Sequence, residues 1–233
     1  MKEKIASLFN DFVHLFFPHN CLGCGTDVLR NDALLCTKCF AQLPETGFAD
    51  KKDNPVEKIF HGRIKIKAAA SAYYFTKDSL LQHLIVQLKY NNNKDAGFYL
   101  GNLLGNILTQ SKRFENTDCI LPLPLNPKKE TMRGYNQAAV IAEGIAQVWQ
   151  KPVLKNILSR SIFTETQTQK DRISRWQNMQ NVFIITNASA IENKNVLLVD
   201  DVVTTGATLE ACGQKILSIT GTTLSIATVA YTI

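Results

Sequence analysis

Apolar positions are spaced along this chain in two alternating rhythms. Ile5, Leu8, Phe9, Phe12, Val13, Phe16 and Phe17 recur at helical spacing, which predicts an amphipathic helix over residues 3–17 ending at Pro18. Residues 45–58 are polar, with Pro44 and Pro55 as breakers, and have the pattern of a linker. Weak alternation over 68–75 predicts a strand, and helical periods over 80–88 and 97–108 predict two helices parted by Asn91, Asn92 and Asn93. A strand over 119–125, a helix over 137–148 and strands over 183–185 and 196–199 follow. A helix over 207–218 and a strand over 223–231, expected to close the sheet, complete the series. Strands alternating with helices predict an α/β domain with a mostly parallel sheet, whose ligand site lies at the carboxyl ends of the strands. The expected organisation is an N-terminal helix with a cysteine module over 1–46, a linker over 47–67 and the α/β domain over 68–233.

The most specific chemistry lies where the unbroken run Val196-Leu197-Leu198-Val199 meets Asp200 and Asp201, then Thr204, Thr205, Gly206, Ala207 and Thr208. The order is buried strand, acid pair, hydroxyl-rich turn and helix. Backbone N–H groups of such a turn, the Thr hydroxyls and the positive end of the helix dipole together form a phosphate cradle. Two carboxylates beside it are placed to accept hydrogen bonds from vicinal sugar hydroxyls. Phosphate and sugar hydroxyls in one pocket describe a ribose 5-phosphate.

Cys21 and Cys24, then Cys36 and Cys39, form two C-x2-C knuckles separated by eleven residues, a spacing that lets four thiolates converge on one structural zinc ion. Paired disulfides would need an oxidising compartment. The N-terminal stretch does not read as a signal peptide, because Asp11 and His14 interrupt it and no small-residue cleavage site follows, and no run of about 18 apolar residues spans a membrane. A cytoplasmic protein is expected.

The net charge of +6 is concentrated. Residues 126–175 carry nine basic and four acidic side chains, a local excess of +5 that suits an anionic ligand, whether pyrophosphate or a nucleic-acid backbone. Within that stretch Pro124, Leu125, Lys128 and Lys129 belong to a proline-stiffened loop after a strand, fit for pyrophosphate, and Arg133 follows it. Arg160, Gln167, Arg172 and Arg175 lie in a polar, basic segment that reads as a mobile hood over the site.

The acid-pair segment resembles the 5-phosphoribosyl-1-pyrophosphate (PRPP) motif of type I phosphoribosyltransferases. Together with the cysteine knuckles, Leu88-Lys89-Tyr90, Gly101, Pro122-Leu123-Pro124-Leu125, Arg133-Gly134-Tyr135-Asn136-Gln137, Gln167, Arg172, Asn178 and Phe183, the chain resembles the ComF family of competence-associated proteins. Asn126 stands where that family often has histidine, and the usual Gly-Leu after Gln167 is absent. The resemblance implies a type I phosphoribosyltransferase fold, PRPP bound with Mg²⁺, ribose hydroxyls on Asp200 and Asp201, and the 5′-phosphate on residues 204–208. It leaves two functions open. One is a transferase that releases pyrophosphate while Lys128, Lys129 and Arg133 stabilise the developing charge. The other is a protein that binds and processes single-stranded DNA in natural competence, with PRPP as ligand or regulator and a competence helicase or other DNA-processing protein as partner. Stacking rings beside the charges would favour the DNA reading, and Tyr135, Phe163 and Trp176 are the candidate rings.

Overall fold

The structure is a computed structural model that describes residues 20–27, 34–160 and 182–233. The helix expected over 3–17 lies outside these residues. So do Phe163, Gln167, Arg172, Arg175, Trp176 and Asn178 of the expected hood.

After a short helix α1 (Thr37–Phe40), the chain runs through α2 (Pro55–Phe60), β1 (Ala69–Phe75), α3 (Leu80–Tyr90), α4 (Lys94–Gln110), β2 (Cys119–Pro122), α5 (Pro127–Arg133) and α6 (Gln137–Trp149). It continues with β3 (Leu158–Arg160), β4 (Phe183–Ile185), β5 (Asn195–Val203), α7 (Ala207–Leu217) and β6 (Thr223–Thr232). Four strands form one parallel sheet in the order β1-β6-β5-β2, while β3 and β4 pair antiparallel as a separate ribbon. The strand expected to close the sheet, β6, is therefore internal. Leu224, Ile226, Ala227, Val229 and Ala230 are all buried, as a strand covered on both faces requires. The strand expected over 183–185 forms but joins the ribbon instead of the main sheet.

One flank of the sheet is built on unusually close helix contact between α4 and α6. An added Cβ at Gly101 would lie 2.2 Å from the carbonyl oxygen of Ile141 and 3.0 Å from Gly144 Cα, and one at Gly144 would lie 2.2 Å from the carbonyl oxygen of Phe98. Glycine at both positions lets the two backbones touch.

The stretch 47–67, expected as a linker, is folded onto the sheet. Val56 and Phe60 of α2 are fully buried. Its polar residues are structural. Asn54 Oδ1 accepts from the backbone N–H groups of Val56 and Glu57, and its Nδ2 donates to the carbonyls of Phe48, Lys51 and Ala69. Glu57 accepts from the N–H groups of Asp53 and Ala69 and pairs with Arg113. These groups are polar because they replace water as partners for buried backbone, which is the condition for burying polar groups at all.

Candidate functional site

The strand carrying the acid pair extends further than its apolar run. Parallel pairing with β6 continues through Asp200↔Thr228, Val202↔Ala230 and Val203↔Tyr231, so the acids sit within β5 and not after its end. On the other side β2 stops pairing at Pro122↔Val199, short of the strand expected to reach Leu125. Pro124 has no N–H to continue the ladder. The carboxyl end of β2 thus opens a crevice beside Asp200 and Asp201, as at the strand ends of open α/β sheets.

That crevice is a cleft of about 200 Å³. Asp200, Asp201, Pro124, Leu125, Lys129, Arg133, Arg160 and Thr208 all line it. Lys128 is exposed and is not among the lining residues. The lysines belong to helix α5, capped by Asn126, whose side chain accepts from the Lys128 N–H at 3.0 Å. Neighbouring residues on a helix diverge by about 100°, whereas Lys129 and Arg133, four apart, share a face. Arg160, expected in the hood, ends strand β3 and holds its guanidinium 5.6 Å from the Phe183 ring centroid.

The loop after β5 lines a smaller adjoining cavity with Thr204, Thr205, Gly206, Ala207, Thr208 and Asp200. Gly206 is the N-cap of α7 at φ 70°, a left-handed conformation natural to glycine, and no side chain caps the helix. The first N–H groups of α7 therefore remain available to an anion. The loop rests on the segment 59–63. A Cβ at Gly206 would lie 2.5 Å from Ile59 Cγ2 and 3.0 Å from the Phe60 ring, Arg63 Nη1 donates to the carbonyl of Thr205 at 2.9 Å, and Arg63 pairs with Glu210 on α7.

The two acids are not equivalent. Asp201 is buried and pairs with Lys89 Nζ at 2.9 Å. Asp200 is half-buried, and loss of solvent, together with the neighbouring Asp201 charge, pushes its carboxyl up to about 8. Lys89, Lys129, Arg133 and Arg160 outnumber the two acids around the cleft.

Lys89 carries no role in the sequence reading beyond its place in the Leu88-Lys89-Tyr90 motif. A lysine in the last turn of a helix is ordinary; only the fold brings it to Asp201. Asn136 and Gln137 also line the cleft. Asn136 caps α6 by accepting from the Ala138 N–H at 3.0 Å and donates to the carbonyl of Leu123 at 2.9 Å, pinning the loop after β2; Gln137 accepts from Arg133 Nη1 at 2.8 Å.

At the other end of the described chain the sulfur atoms of Cys21, Cys24, Cys36 and Cys39 all lie within 4.8 Å of one another, a cluster able to hold a metal ion. Backbone N–H groups of Gly23 and Cys36 donate to Cys21 Sγ at 3.4 and 3.2 Å. Among the described residues, no helix is long and apolar enough to cross a membrane.

A parallel α/β sheet with an acid pair, a glycine-turned loop and an uncapped helix start at one strand end defines the type I phosphoribosyltransferase class, and residues 136–232 match the family model of the phosphoribosyl transferase domain. The chain belongs to the ComF family. It is 33% identical over 194 residues to competence protein F of Haemophilus influenzae, covering 83% of this chain and 76% of that protein. It is 26% identical over 197 residues to the DNA utilization protein YhgH of Escherichia coli O157:H7, covering 81% and 80%. Among solved structures, the glutamine PRPP amidotransferase from B. subtilis complexed with ADP and GMP superposes with a TM-score of 0.42 at 18% identity, over 62% of this chain and 30% of that one.

Proposed function

We propose that this protein binds a 5-phosphoribosyl ligand, with PRPP the natural candidate, and acts in the handling of imported single-stranded DNA, where the ligand serves as substrate or regulator. The observation that carries the ligand is the meeting of Asp200 and Asp201 with the uncapped start of α7 at one strand end. The DNA role is supported by the relatives named for competence and DNA utilization. In this reading residues 204–208 hold the 5′-phosphate through backbone N–H groups, and the two acids take the ribose hydroxyls. Pyrophosphate lies towards Lys129 and Arg133 over the loop of Pro124 and Leu125, and Lys128 adds long-range charge from outside the cleft.

Magnesium fits the same place. It takes oxygen ligands, keeps much of its water and draws on substrate phosphates, so Asp200 or Asp201 suffices on the protein side. When bound, it would neutralise phosphate charge. Zinc fits the cysteine cluster: four sulfurs at about 2.3 Å from a tetrahedral ion stand roughly 3.8 Å apart, and Cys24 Sγ lies 3.7 Å from Cys36 Sγ. The Thr26 hydroxyl, 3.2 Å from Cys24 Sγ, helps lower that thiol to about 6, toward the thiolate a metal needs. Elemental analysis of freshly purified protein should find one zinc per chain. Cys36→Ser should lose it and loosen the module around α1 while circular dichroism of the sheet persists; metal-free wild-type protein would refute the assignment.

Single-stranded oligonucleotides should shift the protein on gels at low salt, with affinity falling steeply as salt rises because phosphate contacts release counterions. Excess PRPP should compete if the cations around the cleft serve both ligands. Absence of any complex at low salt would remove the DNA role. Phosphoribosyl transfer is the second reading, favoured by Lys129 and Arg133 facing the cleft from one side of α5, where they would stabilise leaving pyrophosphate. Pyrophosphate release from PRPP and Mg²⁺ against a panel of bases, amines and oligonucleotides tests it.

A further inference from the structure

Tyr135, one of the three candidate rings, falls within the described residues and is buried. Its hydroxyl donates to the carbonyl of Leu88, and Lys94 Nζ sits 5.2 Å from its ring centroid. It stabilises the end of α3 and offers no face to a ligand. A different ring is available. Tyr90, the last residue of α3, is 65% exposed, although it follows directly on Lys89, which holds Asp201. The guanidinium carbon of Arg133 stands 5.5 Å from the Tyr90 ring centroid. Arg133 is itself part of the cleft lining, and its neighbour in sequence, Met132, is 71% exposed.

A single exposed ring on a protein surface needs no explanation. Tyr90 differs from such a ring in its position between two cleft-lining cations, one preceding it in the chain and one against its ring. Arg133 is also incompletely used: Nη1 donates to Gln137, while Nε is buried with no hydrogen-bond partner among the described residues. The arrangement combines phosphate-directed charge at Lys89, Lys129 and Arg133 with an exposed π-face at the rim. Sites that hold single-stranded nucleic acid are built from that pairing of cations for the backbone and rings for the bases.

We propose that Tyr90 is a stacking platform for one aromatic base of a nucleotide whose phosphates lie on the cations of the cleft, with Arg133 bracing the ring. This rests on the reading of the cleft as a phosphoribosyl and single-strand site. Because every base has a π-face, the platform selects for the presence of a base and only weakly for its identity. The base comes either from a single strand or from a free nucleotide.

Fluorescence anisotropy with labelled oligo-dT and with an abasic oligonucleotide of the same length tests the proposal, using wild-type protein, Tyr90→Ala and Tyr90→Phe. An exposed residue at a helix end can be changed without emptying the core, and circular dichroism would verify the fold. Tyr90→Ala should bind oligo-dT about tenfold more weakly, within the range of one lost base–aromatic stack. Tyr90→Phe should match wild type, and abasic strands should bind all three proteins alike. Thymidine 5′-monophosphate that competes with wild type but not with Tyr90→Ala would assign the stacked base to a free nucleotide; failure to compete would assign it to the strand. Both results support the platform. Equal oligo-dT affinity in wild type and Tyr90→Ala, or an equal loss on the abasic strand, overturns it while leaving strand binding in place. Wild-type protein that binds neither oligonucleotide overturns the single-strand reading and the platform with it.

Discussion

Replacing Asp200 and Asp201 together by asparagine is expected to weaken PRPP binding at least a hundredfold in isothermal calorimetry. At pH 9, above the titration of Asp200 near 8, each carboxylate that accepts from a sugar hydroxyl contributes about 1.5–3 kcal/mol as a hydrogen bond to a charged group, and two such losses correspond to a factor of a hundred or more at tenfold per ~1.4 kcal/mol. Asparagine preserves shape, so the effect reads chemistry and not a cavity. The single variant Asp200→Asn adds a pH signature. Burial raises the Asp200 carboxyl from its ordinary 3.8 to about 8, so between those values the folded chain holds a proton that the unfolded chain has lost. Folding stability contributed by this group therefore falls as pH rises from about 4 through 8, and Asp200→Asn should melt higher than wild type at pH 9 and about equally at pH 4. Unchanged PRPP affinity in the double variant would sink the site assignment whatever the melting curves show.

The second large effect falls on stability. Gly101→Ala places a methyl group 2.2 Å from the Ile141 carbonyl oxygen and 3.0 Å from Gly144 Cα. Backbone atoms have no rotamer to escape into, so α4 and α6 must separate. Overpacking a core costs typically 1–3 kcal/mol, occasionally more, and a contact made wholly by backbone belongs at the upper end, about 3 kcal/mol, against a total stability of about 5–15 kcal/mol. Urea unfolding followed by circular dichroism should show a clear drop in midpoint with an unchanged slope. A midpoint equal to wild type would mean that the helices do not meet as closely as described.

Features confined to a few consecutive residues were readable without coordinates. The strand, acid pair, loop and helix around Asp200 occupy one continuous stretch, and the cysteine knuckles announce themselves by spacing, so both emerge in the expected order, with β5 running on past the acids. What depends on distant partners did not. Lys89 reaches Asp201 only after α3 folds across the sheet, and nothing in a helix's last turn distinguishes that lysine from a solvated one. Asn54 and Glu57 look like linker residues because polarity in sequence does not reveal that their partners are Ala69 and Arg113. The paired lysines mislead for the opposite reason: adjacency in the chain suggested a common target, and helical geometry separates Lys128 from the cleft that Lys129 lines. The place of β6 between β1 and β5 is set by crossover topology, although its run of buried residues from Leu224 to Ala230 is the mark of an inner strand.

The floor beneath Gly206 bears on what counts as a unit of inheritance in this protein. Residues 136–232 contain the acid pair and the proposed phosphate loop, yet Ile59, Phe60 and Arg63, which support that loop and tie it to Glu210, lie far upstream. Recombination that exchanged the downstream segment alone would transplant the binding chemistry without its foundation. Substitutions at Gly206 and at Ile59 or Phe60 are therefore bound to evolve as a coupled set, each limiting the side chains the other can accept.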